Sequence, residues 1–111
     1  MKASDNERLA LRVGAAGAAL HAAIVECFGL LGGDRPDTPD AGAARLAAAR
    51  GILVARVVAY AQVLRESGIR ERDIAPSVHR AVMLSAPPDT DEGREAATSR
   101  VLRWTADALG T

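Results

Sequence analysis

The chain has 111 residues, 49% of them hydrophobic, but 24 of these are alanine, which leaves 30 side chains of a size to fill a core. A chain of this length buries about 65% of its unfolded surface, enough for one domain spanning residues 1–111 and too little for a deep cleft backed by a second layer. Thirteen Arg and one Lys balance eight Asp and six Glu, which removes the main electrostatic motive for binding nucleic acid or an anionic membrane.

The first residues mix Lys2 and Arg8 with Asp5 and Glu7, whereas a secretory signal needs a basic end followed directly by an apolar run. Arg12 and Glu26 close the uncharged window Val13 to Val25 at 13 residues, short of the roughly 20 that a membrane span requires. A cytoplasmic protein is therefore expected. One cysteine, Cys27, excludes an internal disulfide.

Ser4 and Glu7 have the spacing of a capping box, and no breaker follows before Gly32-Gly33, which predicts a first helix over about 5–31. Gly32 to Thr38 reads as a loop. Thr38-Pro39 is a cap with proline at the first helical position, and Gly68 is a stop, giving a second helix over about 39–67. A third fits about 70–84, with Pro76 near enough to its start to be tolerated. Ser85-Ala86-Pro87-Pro88 breaks the chain, Asp89 or Thr90 caps, and a fourth helix runs over about 91–109 to Gly110. No segment alternates with strand period, so the expected fold is all-α, a four-helix antiparallel bundle built on a long helix 1/helix 2 hairpin with two shorter helices.

At 100° per residue, Leu9, Val13, Leu20, Ile24, Phe28 and Leu31 share one stripe of the first helix, with Arg8, Arg12 and Glu26 opposite. A second stripe is small: Gly14, Ala18, Ala22. The second helix has its own small stripe in Ala44, Ala48, Gly51, Ala55 and Ala59. A hairpin register in which paired numbers sum to about 70 sets these stripes face to face, pairs Glu7 with Arg65, and makes Gly51 a contact residue that Leu would overpack. Between Leu46 and Leu64 the second helix carries only Arg50 and Arg56 as charges. Large apolar residues on several of its faces, among them Ile52, Val58 and Val63, point to a homodimer interface, with another protein as the alternative cover. In the last helix Ala97, Val101, Trp104 and Ala108 face in, opposite Glu95, Arg100, Arg103 and Asp107, with Trp104 as a core anchor.

The candidate chemistry is sparse. His21 lies between the two stripes of its helix, where a neutral ring with one hydrogen bond is the plain reading and a haem-type ligand the sharp one. His79, on the margin of the third helix, is the candidate phosphoacceptor of a signalling phosphotransfer bundle. Such domains usually place Lys three and Gly four residues later, where this chain has Val82 and Met83. Cys27, His21 and Glu26 lack the spacing of a shared metal face, so no metal and no cofactor are expected. Cys27 belongs to the core side of its helix, where a thiol is inert. Arg65, Arg70, Arg72 and Arg80 gather near the turn between helices 2 and 3 and raise the alternative of a helical DNA-binding regulator. Glu66, Glu71 and Asp73 interleave with them, which disfavours phosphate contact.

Over its C-terminal half, the pattern Tyr60-Ala61, Leu64-Arg65, Gly68, Val78, Val82, then Val101-x-Arg103-Trp104 with Ala108 resembles a group of small uncharacterised helical proteins of GC-rich bacteria. The resemblance implies a helical fold and no activity. In that group the third helix begins with prolines and carries Lys near the place of His79; here Arg70-Glu71 begins it and Pro76 comes later. The function expected from these features is a small non-catalytic helical protein-interaction module that self-associates, binding neither nucleic acid nor membrane.

Overall fold

The computed structural model describes residues 2–32, 39–85 and 92–110. Four helices form a bundle: α1 (Lys2–Gly32), α2 (Pro39–Glu66), α3 (Glu71–Ser85) and α4 (Glu92–Leu109). No strand occurs among the described residues. The helix ends lie within one residue of the sequence reading, except that α1 begins at Lys2. Ser4 is thus inside the helix and not its cap, because Lys2 and Ala3 are good helix formers that let the helix propagate outward. The expected cap at Thr38, the loop from Gly33 to Thr38, and the breaker and cap over residues 86–91 lie outside the described residues.

Proline opens α2, where its missing N–H belongs to a position that has no helical acceptor anyway. Gly68, at φ 91, ends the same helix. The Ile69 N–H donates to the Leu64 carbonyl at 3.0 Å and the Gly68 N–H to the Arg65 carbonyl at 3.1 Å, the paired bonds of a Schellman motif that only a left-handed residue can close. Helix α3 continues through Pro76, its sixth residue. The carbonyl deprived of a donor there is that of Arg72, in the first turn, and the Ser77 hydroxyl donates to the neighbouring Asp73 carbonyl at 2.7 Å.

The core is centred on Leu20, Ile24 and Cys27 of α1, Leu53 and Val57 of α2, Ile74, Val78 and Val82 of α3, and Val101 of α4, all fully buried. Every pair of helices touches, with α1 and α2 sharing the largest interface. These two have 31 and 28 residues against 15 and 18 for α3 and α4, so the short pair cannot cover the long hairpin, and the molecule extends over 55 × 26 × 22 Å.

The hairpin register differs from the expected one. Arg12 pairs with Glu66 at 2.6 Å, the Cβ position of Gly17 lies 3.7 Å from the Tyr60 ring, and the Cys27 thiol is 3.7 Å from the Ala49 carbonyl. Paired numbers therefore sum to about 77, and Glu7 does not meet Arg65. The small stripes do not face each other: Gly14, Ala18, Ala22, Ala44, Ala48, Gly51, Ala55 and Ala59 are all exposed. Burial of apolar area decides this, because small against small removes far less surface from water than Leu20 and Ile24 against Leu53 and Val57, at about 25 cal/mol per Å². Close approach is kept to Ala23, Ala49 and Gly17, and Tyr60 fills the space over Gly17.

The corrected register reverses the expectation for Gly51, whose added Cβ would meet nothing within 4 Å. Gly51→Ala should raise stability by about 0.5–1 kcal/mol through helix propensity, and Gly51→Leu should be tolerated. Gly17→Leu, by contrast, drives a side chain into Tyr60 and should cost about 1–3 kcal/mol. Thermal melts of the three variants check this, and a Leu at 51 more damaging than a Leu at 17 would restore the facing stripes.

Candidate functional site

The side chains singled out for chemistry are dispersed. His21, exposed on α1, shares a 2.8 Å hydrogen bond between its Nδ1 and the hydroxyl of Ser85, the last residue of α3. This ties the end of α3 to the middle of α1, and among the described residues no carboxylate orients the pair as a catalytic dyad would require. His79 is exposed on α3, with Val82 behind it in the core. Cys27 is fully buried against the Ala49 carbonyl. Burial raises its thiol pKa above the ordinary value, and the nearby Glu26 carboxylate raises it further, so the nucleophilic thiolate is disfavoured. Among the described residues no three His, Cys, Asp or Glu side chains gather as a metal would need.

The arginines near the α2–α3 turn are partly engaged with acids. The Arg65 guanidinium donates from Nε and Nη2 to both oxygens of Glu71, at 2.8 Å each. That hydrogen bonding holds the Glu71 carboxyl below the usual carboxylate range. Arg65 thus spends its fork on a neighbour and does not present it to a phosphate.

Trp104 occupies the core position expected of it, only 6% exposed. The guanidinium of Arg50 on α2 lies 5.4 Å from its ring centroid and that of Arg100 on α4 lies 5.2 Å away. Each such contact contributes about 0.5–1 kcal/mol. Sequence periodicity locates the ring but not its cations: Arg50 meets it only once α2 and α4 pack, and Arg100, expected on the opposite face, lies one turn before Trp104 and reaches over the ring. Thr105, buried beside Trp104, was also not foreseen; its hydroxyl donates at 2.8 Å to the Leu102 carbonyl one turn back, which satisfies it inside the helix.

What remains is surface. On α1, Leu11, Ala15, Ala18, Ala22, Val25 and Gly29 follow one another in alternating steps of four and three residues and are all exposed, Leu11 by 74% and Val25 by 45%. On α2, Ala44, Ala48, Gly51, Ala55 and Val58 repeat the pattern, with Ile52 beside them; Ile52 is 46% and Val58 49% exposed. Two of the three expected interface residues are therefore outward. Val63 is not: it is 9% exposed, since it lies one turn on from Tyr60, the residue that covers Gly17 of α1. The α1 face went unrecognised because its small residues had been assigned to the hairpin contact. By length and composition, Glu7–Leu31 and Gly42–Glu66 could each cross a membrane, at 25 residues apiece. The first of these stretches includes the Arg12 and Glu26 that bound the shorter uncharged window.

Compared with models of protein families, with curated proteins and with solved structures, the chain matches none.

Trp104 should emit at a blue-shifted wavelength in the folded protein and shift red on unfolding, and Trp104→Ala should cost about 3–5 kcal/mol. Emission at the hydrated position in the native state would contradict its burial. Cys27 should react with iodoacetamide only as fast as the fold opens. Because burial raises the folded thiol's pKa, the contribution that Cys27 makes to stability is present in full below the unfolded thiol's ordinary value of 9.0 and is lost as pH rises through the folded value. Alkylation at the rate of a free thiol in native buffer would refute this.

Proposed function

We propose that the chain is a small, non-catalytic helical interaction module of the cytoplasm that works by offering the outward faces of α1 and α2 to other helices, including those of a second copy. The observation that carries this reading is the pair of long, uncharged faces on one hairpin, with Leu11, Val25, Ile52 and Val58 exposed among Ala and Gly. Monomeric proteins seldom leave such continuous apolar surface in water. Its make-up favours a helix as occupant: Ala and Gly let a second backbone approach closely, whereas they give lipid chains little apolar area per residue. His21 and Cys27 share α1 but one is exposed and the other buried, and His79 lies on α3; this dispersal favours a role without catalysis.

Sedimentation equilibrium from micromolar to hundreds of micromolar protein tests the self-associating form of this reading. The mass should rise with concentration above that of the monomer, and a charge placed on an outward face, as in Ile52→Glu with Val58→Glu or Ala18→Glu, should weaken association at unchanged helix content. Val63→Glu should instead unfold the chain, because it buries a carboxylate. A mass fixed at the monomer value over the whole range would remove self-association from the proposal.

A further inference from the structure

The proposal above leaves open which face meets which, and the α1 face carries a pattern that selects its own partner. We infer that two copies of this chain associate antiparallel along the outward seam of α1, about a two-fold axis crossing the helix at the level of Leu20. This inference rests on the interaction reading and assigns it one surface, one occupant and one register.

The seam Leu11, Ala15, Ala18, Ala22, Val25, Gly29 has the spacing of the two core positions of a heptad. In an antiparallel pair each of one kind meets the other kind. The two-fold register then sets Leu11 against Gly29 of the partner subunit, Ala15 against Val25 of the partner subunit, and Ala18 against Ala22 of the partner subunit. Large residues meet small ones at both ends, and alanine meets alanine at the centre. Among the described residues nothing obstructs the approach: added Cβ atoms at Gly14 and Gly29 meet no atom within 4 Å.

The flanking charges agree with the same register. Arg12 and Glu26 are exposed along one side of the seam, one step beyond Leu11 and Val25 respectively. The side of the seam they share is the side that faces itself across an antiparallel two-fold, so Arg12 meets Glu26 of the partner subunit twice per dimer. A parallel pair would set that side against the other flank of the partner's seam, where the positions of Gly14 and His21 carry no carboxylate, and would leave Arg12 and Glu26 without an opposite charge across the contact. Arg12 also reaches Glu66 of its own α2 through one terminal nitrogen, and the guanidinium fork has donors left for a second carboxylate. The α2 face offers no such charge pattern, since Arg45 would meet Ala59 in the corresponding arrangement. A contact one helix wide belongs to the weak end of protein interfaces, so the dimer should form at micromolar concentrations and above.

The test uses sedimentation equilibrium on the full chain and on charge variants at exposed positions. Arg12→Glu alone and Glu26→Arg alone each turn both pairs repulsive and should raise the dimer Kd about five- to tenfold. Mixed in equal amounts, the two variants should return to within about twofold of the parent Kd, because every flanking pair is again opposite in sign. Ala18→Glu, next to the axis, should abolish the dimer with the melting curve of the monomer kept. A mixture as weak as its components, or a dimer that survives Ala18→Glu, overturns the seam. Association lost through Ile52→Glu with Val58→Glu, with the α1 variants silent, overturns it as well but leaves the interaction reading standing. A monomer at every concentration overturns the seam and removes self-association from the interaction reading, whereas binding of the wild-type chain to phosphatidylcholine vesicles with no dimer in water overturns both.

Discussion

The burial of one broad stripe on α1 governs the rest of the molecule. Leu20, Ile24, Cys27 and Phe28 must all leave water, and α2 supplies the largest surface that can take them. Once Leu53 and Val57 are set against them, the rotation of both long helices is fixed, and everything on their far sides is committed to the outside. The glycines and alanines of the outward seams are therefore a consequence of where the large residues went. Their position does not reflect any weakness of small-residue packing as such, because Ala23, Ala49 and Gly17 do exactly that work on the inward side, where a large neighbour such as Tyr60 is available to use the space.

The two short helices then act as a lid over a hairpin that they cannot cover from end to end. Helix α3 is joined tightly to α2 through the Schellman turn at Gly68 and the Arg65–Glu71 pair, and its far end is tied to α1 by His21 and Ser85. Helix α4 is held differently. Its Trp104 enters the core beneath Arg50 and Arg100, so a ring that is apolar towards Val101 and Ala97 also satisfies two cations at the rim. Removing water from the ring and leaving both guanidiniums in water lets one residue anchor the helix at no cost in buried charge.

Much of this was legible from spacing alone. The four helices, the stop at Gly68, the inward stripe of α1, the inward Ala97, Val101 and Trp104 of α4 against the outward Glu95 and Arg103, and the buried Cys27 all follow from periodicity and from the conformational habits of glycine and proline. The register of the hairpin did not. Two stripes of small residues at the same spacing satisfy a facing model as well as an outward one, and a helical wheel does not say which neighbour a stripe meets. The deciding quantity was the area buried by the competing large stripes, which depends on both helices at once. Val63 was misassigned for the same reason: its place on α2 is uniform with Ile52 and Val58 in character, and only the corrected rotation, with Tyr60 over Gly17, turns it inward.

An outward face made mostly of alanine also bears on how the hairpin stays folded with that face in water. Exposed Leu or Phe in an unbroken row would expose several hundred Å² of apolar surface and invite indiscriminate association. Alanine exposes little, keeps the helix at the best intrinsic propensity, and loses no side-chain entropy when a second helix arrives. The affinity available from such a face is small unless the approaching backbone is close and its bulky residues fall opposite gaps. In the proposed dimer, discrimination would therefore come from shape and from the sparse charges at the edge, because only a partner with Leu opposite Gly and Arg opposite Glu would recover enough contact to hold.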